Sequence, residues 1–146
     1  MHIDRQETKF RGGPASARAL ALAGVLLALA TACGAIGSHA LKGQLPSERL
    51  QLWDTAVRYQ FVQALGLLGV GLTLRFLEEG AGIAKAVRAV GAAAALLIIG
   101  VVLFSGSLYA LALGAPRAVG ALTPIGGLAW IAAWLLFAFG LWRAGA

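Results

Sequence analysis

The side chains that could do chemistry in this sequence are few, and they lie beside long apolar runs. Ionisable and hydrogen-bonding groups are costly next to lipid, so those found there usually hold helices together or bind a ligand. We call the polar side chains beside the apolar runs the polar cluster. They are His39, Asp54, Arg58, Tyr59, Gln63, Ser105, Tyr109 and Thr123. We expect them to mark the functional end of the molecule.

Three of these side chains, Asp54, Arg58 and His39, are charged or can become charged near neutral pH. Asp54 and Arg58 are one helical turn apart, which indicates either an interfacial salt bridge or a partly buried pair that holds the helix start or binds a polar ligand. His39 could exchange a proton near neutral pH, or it could cap a helix end. We favour the cap, because no second histidine or carboxylate pair accompanies His39.

Neither a metal site nor a catalytic constellation is indicated. Cys33, in an apolar run, does not make a zinc ligand set with His39 and Asp54. Ser105 and Tyr109 are one turn apart, and we expect them to bond across helices or to the backbone. No nucleophile with an adjacent base can be identified. We therefore predict no metal, no cofactor and no enzymatic activity.

The composition is that of a polytopic membrane protein rather than a soluble one. Of 146 residues, 60% are hydrophobic and only 12% are charged. The net charge of +6 is not accompanied by a basic stripe with interleaved aromatic residues, so we expect no nucleic-acid partner. The expected surroundings are the lipid bilayer, where excess Lys and Arg set orientation.

The apolar runs predict an all-α, up-and-down bundle of four transmembrane helices, since about twenty apolar residues cross a bilayer. We expect residues 1–18 to form a disordered basic tail and residues 19–146 to form one domain. The predicted spans are residues 19–38, 55–75, 89–113 and 123–142.

The second span needs polar residues to reach the required length. Its uninterrupted apolar part, Ala64 to Leu74, has only eleven residues, so we extend the span back to Thr55. Ser47 is the expected N-cap of this helix. In the fourth span we expect Thr123 to be the N-cap and Pro124 the first helical residue.

The first apolar run has a second interpretation. A basic start followed by an apolar stretch and Ala30-Thr31-Ala32-Cys33 also resembles a cleaved secretory or lipoprotein signal with a lipid-acceptor cysteine. We favour a retained transmembrane helix, because the apolar run continues to Ile36 and the remaining chain is not soluble.

The distribution of basic residues predicts the orientation. Eight of the twelve Lys and Arg fall in the tail, in the second connection or at the chain end, and the other four fall on the opposite side. The positive-inside rule then places both termini in the cytoplasm. The polar cluster would lie at the outer end of the bundle.

Small residues recur at the spacing of helix contacts, as in Gly24/Ala28/Ala32 and Gly106/Ala110/Gly114. Such rows let helix backbones approach closely in lipid, either within one chain or between chains. The glycines that we expect at helix contacts are Gly34, Gly37, Gly66, Gly106, Gly114, Gly126 and Gly127.

Three motifs together resemble a known family. They are GAIGSHALK (residues 34–42), WDTAVRYQFVQ (residues 53–63), and LFSGSLYALALG with LTPIGG (residues 103–114 and 122–127). The chain resembles the small bacterial inner-membrane proteins catalogued as domain of unknown function 423, which are similar to a four-helix mitochondrial membrane protein of animals. The resemblance covers about residues 19–142. It implies a four-helix fold in the bacterial inner membrane and supplies no established activity.

The chain departs from the family pattern at one position. Gln63 stands where the resemblance leads us to expect a second histidine. A His–His pair for metal or proton chemistry would therefore be incomplete here, which favours a structural role for the polar cluster.

Two functions from different classes lead, and a membrane enzyme, which would need the side chains of Tyr59, Ser105 and His39 to meet at one point, comes third. The surplus of small-residue rows over catalytic groups favours a non-enzymatic protein that self-associates or packs against a larger membrane complex. The alternative is an oligomeric transporter or channel for a small solute or ion, with the polar cluster as its mouth. The spans contain no acidic residue in mid-membrane, which weakens the case for a proton-coupled pump.

Overall fold

A computed structural model describes residues 13–80 and 84–145, and all the regular structure in these ranges is helical. Four helical segments are long and apolar enough to cross a membrane, which confirms the predicted fold class. These segments, numbered spans 1 to 4, are Pro14–Leu41, Ser47–Glu78, Ala84–Ala112 and Arg117–Gly145. The disorder expected for the first twelve residues of the tail concerns residues outside the described ranges.

Span 1 begins earlier than predicted. Helix α1 covers Pro14–Ile36, so residues 14–18 are helical rather than part of a tail. Pro14 stands at the helix start, where a missing N–H costs nothing. The Ser16 hydroxyl lies 2.9 Å from the carbonyl of Gly13 and 2.6 Å from Glu78 Oε2 at the end of span 2. A π-helical segment, Gly37–Leu41, completes the span.

Span 2 is the single helix α2, Ser47–Glu78, and it starts eight residues before Thr55. The extended residue that precedes it is Pro46, so Ser47 is the first helical residue and not the N-cap. The N-cap expected at Ser47 is therefore one residue from the observed N-cap, whereas the predicted span begins only at Thr55 because the first two turns of α2 are polar. The helix thus extends beyond the length that a bilayer requires.

Spans 3 and 4 each combine two kinds of helix. Span 3 consists of α3 (Ala84–Gly100), a π-helical segment (Val101–Ser105) and α4 (Gly106–Ala112). Span 4 consists of a 3₁₀ segment (Arg117–Ala121) and α5 (Leu122–Gly145).

The starts of span 4 and of its α-helix also differ from the prediction. Thr123 is the second residue of α5 and not its N-cap, because the 3₁₀ turns lead directly into the α-helix. Gly114 turns the chain between spans 3 and 4 with a positive φ of 99°, a conformation that glycine adopts readily.

The spans pack mainly in chain order. Helix α1 packs on α2, α2 packs on span 3, and α3 packs on α5, whereas α1 and α5 share at most a weak contact within the described residues. The core between the spans is built from Ala19, Ala23, Leu67, Val70, Leu74, Val90, Ala94, Leu97, Val101, Trp130 and Ala133. Spans 1 and 4 therefore form two edges of the bundle, each with a face that no other span covers.

Candidate functional site

The centre of the candidate site is a buried hydrogen-bond network around Gln60. Its amide Nε2 donates to the carbonyl of Leu26 in α1 at 2.9 Å. Its Oε1 accepts a bond of 2.9 Å from the Tyr109 hydroxyl in α4. Gln60 is only 4% exposed, so water does not compete strongly for these groups. One amide thus joins spans 1, 2 and 3; we call these contacts the Gln60 network.

Trp53 extends this network toward the end of α1. Its indole Nε1 donates to the carbonyl of Cys33 at 2.8 Å, and its ring lies 4.6 Å from the ring of Tyr109. Gly37 makes room for the indole, because a Cβ at this position would lie 2.8 Å from it. Three side chains and two backbone carbonyls from three spans therefore fix one another in place.

A second set of contacts joins α2 and α5 through aromatic rings. Tyr59 packs against Phe104 and stacks on Trp130, with ring centroids 4.9 and 5.7 Å apart. The Trp130 indole donates to the carbonyl of Leu97 at 3.2 Å. Tyr59 is still 43% exposed, so one side of this aromatic layer faces outward.

Gln63 has a bonding role of its own. Its Oε1 accepts a hydrogen bond of 3.2 Å from the indole of Trp134 in α5. Gly66, one turn further along α2, lies under the same indole, since a Cβ there would be 2.6 Å from the ring. In this chain the residue at position 63 therefore acts as a contact between helices.

The hydroxyl groups of spans 3 and 4 differ in whether they are bonded. Ser107 donates to the carbonyl of Phe104 at 2.9 Å, so the Thr123 hydroxyl is the donor in the 2.6 Å bond between Thr123 and Ser107. Ser105 is 1% exposed and its hydroxyl has no partner. Among these hydroxyls of the polar cluster, Thr123 is therefore bonded and Ser105 is unsatisfied.

The ionisable members of the polar cluster lie apart from the buried network. His39, Asp54 and Arg58 are all exposed. Asp54 lines a cleft of about 210 Å³ with Lys42 and Leu50. No group of three His, Cys, Asp or Glu in the described ranges is close enough to hold a metal ion. The structure therefore separates a neutral, buried set of polar groups from a charged, exposed set.

The predicted packing glycines behave in different ways. A Cβ at Gly126 would lie 2.5 Å from the Phe104 backbone nitrogen, and one at Gly34 would make an ordinary 3.5 Å contact with Val57. At Gly127 the nearest atom would be 3.9 Å away. A Cβ at Gly106 would meet open space, so this glycine makes no close contact with another helix among the described residues.

Gly114 also departs from the expected role. It does not separate two packed helices, because it lies in the turn after α4 with a positive φ. A Cβ at this position would lie 3.4 Å from the Arg49 guanidinium.

Gln60 and Trp53 were not among the predicted site residues. A signal for both exists in the sequence, because the buried positions of α2 recur at intervals of three and four residues and include residues 53, 56, 60, 63 and 67. A glutamine on that buried face needs partners from neighbouring helices.

The arrangement supports helix association rather than acid–base chemistry. The buried polar side chains are neutral amides, hydroxyls and indoles, and most of their hydrogen bonds go to groups on other spans. Such bonds stabilise helix contacts in lipid by about 0.6 kcal/mol each, with a maximum near 1.7 kcal/mol.

Comparison with known sequences identifies relatives over most of the chain. The family described as "Protein of unknown function (DUF423)" matches residues 33–127. The UPF0382 membrane protein YwdK of Bacillus subtilis is 41% identical over 108 residues, which are 74% of this chain and 82% of that protein. No solved structure matches the chain.

Relatives occur in other bacteria as well. A UPF0382 membrane protein of Staphylococcus haemolyticus is 44% identical over 103 residues, covering 70% of this chain and 77% of its own. The UPF0382 inner membrane protein YgdD of Escherichia coli is 31% identical over 116 residues, which cover 77% of this chain and 79% of that protein. With four candidate spans and these relatives, the chain is an integral membrane protein. It belongs to the family of bacterial membrane proteins described as DUF423.

Proposed function

We propose that this protein is a non-enzymatic membrane protein that works by packing its helices against other helices, and that it self-associates through α1. The observation that carries the proposal is the position of the Gly24/Ala28/Ala32 row. All three residues are exposed, and a Cβ built on Gly24 would meet no atom within 4 Å outside its own helix backbone in the described residues. The row is therefore not used for packing inside one chain.

The small residues continue along the length of α1. Alternating steps of three and four residues along its exposed surface pass through Ala17, Ala21, Gly24, Ala28, Thr31 and Ala35. We call this surface the small-residue face. A spacing of 3.5 residues keeps one stripe of a helix against a partner over several turns. Because the side chains are small, two such helices can approach closely and gain van der Waals contacts in lipid.

The buried polar groups support the same proposal. A transporter needs polar groups that face a path for solute, whereas Gln60, Gln63 and Tyr109 are bonded to other spans. These bonds make the bundle a firm support for an outward-facing contact surface. The transporter alternative would need these buried polar groups to face a solute path, and their hydrogen bonds to other spans do not support that.

Substitution of Gly24 tests the proposal. Gly24→Leu places a large side chain on the small-residue face, where the chain itself leaves space, so the monomer should still fold. We expect dimerisation to weaken about tenfold or more, which corresponds to about 1.4 kcal/mol. Native mass spectrometry in mild detergent, or energy transfer between labelled copies in nanodiscs, measures the change.

Gly69→Leu is the matched control. Gly69 is also an exposed mid-span glycine with open space at its Cβ, but large exposed side chains, Leu65 and Leu72, flank it on α2. The Gly69→Leu variant should therefore dimerise like the natural chain. Monomers in every sample, with no copurifying membrane partner, would contradict the proposal, and so would equal weakening by both substitutions.

A further inference from the structure

A cleft at one end of the bundle has the chemistry of an anion site. It lies between the start of α2 and the turn that joins spans 3 and 4, and its volume is about 450 Å³. Its described lining residues are Glu48, Arg49, Leu52, Leu111, Ala115 and Arg117. Two guanidinium groups and one carboxylate therefore line it together with two leucines, which leaves a net positive charge.

The turn at Gly114 helps to place one of the two guanidinium groups. A Cβ on Gly114 would lie 3.4 Å from Arg49 Nη1, so the guanidinium lies over the bare Cα of this glycine. The positive φ of Gly114 gives the turn a shape that few other residues adopt without strain. Arg117, three residues later, begins the 3₁₀ segment and lines the cleft from the other side of the turn.

The position of the cleft relative to the spans suggests the source of the anion. Span 2 begins at Ser47 and span 3 ends at Ala112, so the cleft lies where membrane-spanning helices end. Lipid headgroups occupy this level of a bilayer, and phosphates are the anions found there. Leu52 and Leu111 add apolar surface beside the charged groups.

We propose that this cleft binds the phosphate of an anionic phospholipid. Arginine is suited to the task, because its planar guanidinium donates two parallel hydrogen bonds to phosphate oxygens. Arg49 and Arg117 contact the phosphate, and the leucines contact the glycerol and the first acyl carbons. Glu48 opposes the negative charge and limits the affinity. The site uses residues outside the small-residue face, so it does not depend on self-association.

Lipid titration of the full chain tests this site. Native mass spectrometry measures binding of phosphatidylglycerol and of phosphatidylcholine to the natural chain and to Arg49→Gln and Arg117→Gln. Each substitution should weaken phosphatidylglycerol binding about fivefold, because one basic group near a membrane surface contributes about 1 kcal/mol. Glu48→Gln should strengthen binding, since it removes the repulsive carboxylate.

Lys42→Gln is the matched control. Lys42 is an exposed cation at the same end of the bundle but lines a different cleft. Binding that falls equally in the Lys42 and arginine variants would show unspecific attraction and would overturn the proposal. Binding unchanged in both arginine variants would overturn it as well.

A second arm separates a lipid from a free phosphate. Inorganic phosphate and glycerol 3-phosphate are titrated in detergent without lipid, and thermal unfolding is followed. Little stabilisation by these ions, alongside arginine-dependent binding of phosphatidylglycerol, supports the lipid. Stabilisation by inorganic phosphate that is lost in Arg49→Gln, without preference for phosphatidylglycerol, would overturn the lipid as the source and identify a soluble phosphate ligand.

Discussion

At the scale of single residues, the Gln60 side chain is buried and depends on hydrogen bonds to two other spans. Both ends of its amide are bonded, one to span 1 and one to span 3, and both bonds measure 2.9 Å. Loss of the amide would leave the Tyr109 hydroxyl without this acceptor. An unsatisfied polar group away from water costs about 1–3 kcal/mol.

Gln60→Leu should therefore destabilise the protein by about 1–2 kcal/mol, a range set by the weak average value of interhelical bonds in membranes and by the unsatisfied hydroxyl. The free energy of unfolding can be measured by titration with a denaturing detergent in mixed micelles. The double variant with Tyr109→Phe should cost less than the sum of the two single variants, because both remove the same bond.

Gln51→Leu serves as the control for this change. Gln51 has the same side chain in the same helix, but it is exposed, so its substitution should alter stability by less than about 0.5 kcal/mol. Equal effects at positions 51 and 60, or additive effects of Gln60→Leu and Tyr109→Phe, would show that the Gln60 network does not stabilise the fold.

At the scale of helices, the sequence predicts how many spans exist better than where they begin. Apolar runs identify all four, although the second reaches a spanning length only with the polar residues before Ala64. Helices α1 and α2 begin before the predicted spans at residues 19 and 55, because Pro14 and the polar residues after Pro46 continue a helix beyond the apolar stretch. Polarity indicates where lipid ends, but helices end where their backbone hydrogen bonds end.

The partners of the polar side chains in span 3 could not all be predicted from the spacing of the residues. A regular helix places Ser105 and Tyr109 on the same face, one turn apart. In the structure Tyr109 reaches Gln60, whereas the Ser105 hydroxyl has no partner. A π turn changes the direction of the residues that follow it, and the spacing of apolar residues carries no sign of this change.

The crossing of α5 over the π-helical segment depends on a glycine. A Cβ at Gly126 would lie 2.5 Å from the Phe104 backbone nitrogen and 3.0 Å from the Gly100 carbonyl oxygen. Backbone atoms of a helix cannot move aside as a side chain can. Gly126→Ala should therefore force the two spans apart and cost about 1–3 kcal/mol. Thermal unfolding followed by circular dichroism measures the loss.

The next residue provides the control for this prediction. Gly127→Ala adds the same methyl group, but its nearest atom would be 3.9 Å away, and alanine favours a helix over glycine by up to about 1 kcal/mol. We expect this variant to be as stable as the natural chain or slightly more stable. Equal stability of the two variants would mean that α5 and the π-helical segment lie further apart than described.

At the scale of the whole molecule, packing in chain order leaves spans 1 and 4 as edges of the bundle. Such an arrangement buries the inner spans on two sides and the outer spans on one. In lipid an uncovered apolar face is tolerated, because acyl chains are as apolar as the side chains. The size of the side chains on each uncovered face then decides whether it contacts another helix or lipid. Small residues on α1 favour another helix, whereas the large side chains on α2, such as Leu65 and Leu72, suit lipid.

The charge distribution of the whole chain predicts that both termini and the connection after span 2 lie in the cytoplasm. Cys33 is the only cysteine, so a Cys33→Ala background allows single cysteines to report their side. Ser47→Cys, on the exposed start of α2, should react with a membrane-impermeant maleimide in cells with a permeabilised outer membrane and an intact inner membrane. Gly80→Cys, exposed after the end of α2, should react only after the inner membrane is opened. The reverse pattern would put the polar cluster and the arginine cleft on the cytoplasmic side, where an anionic leaflet would attract Arg49 and Arg117 more strongly.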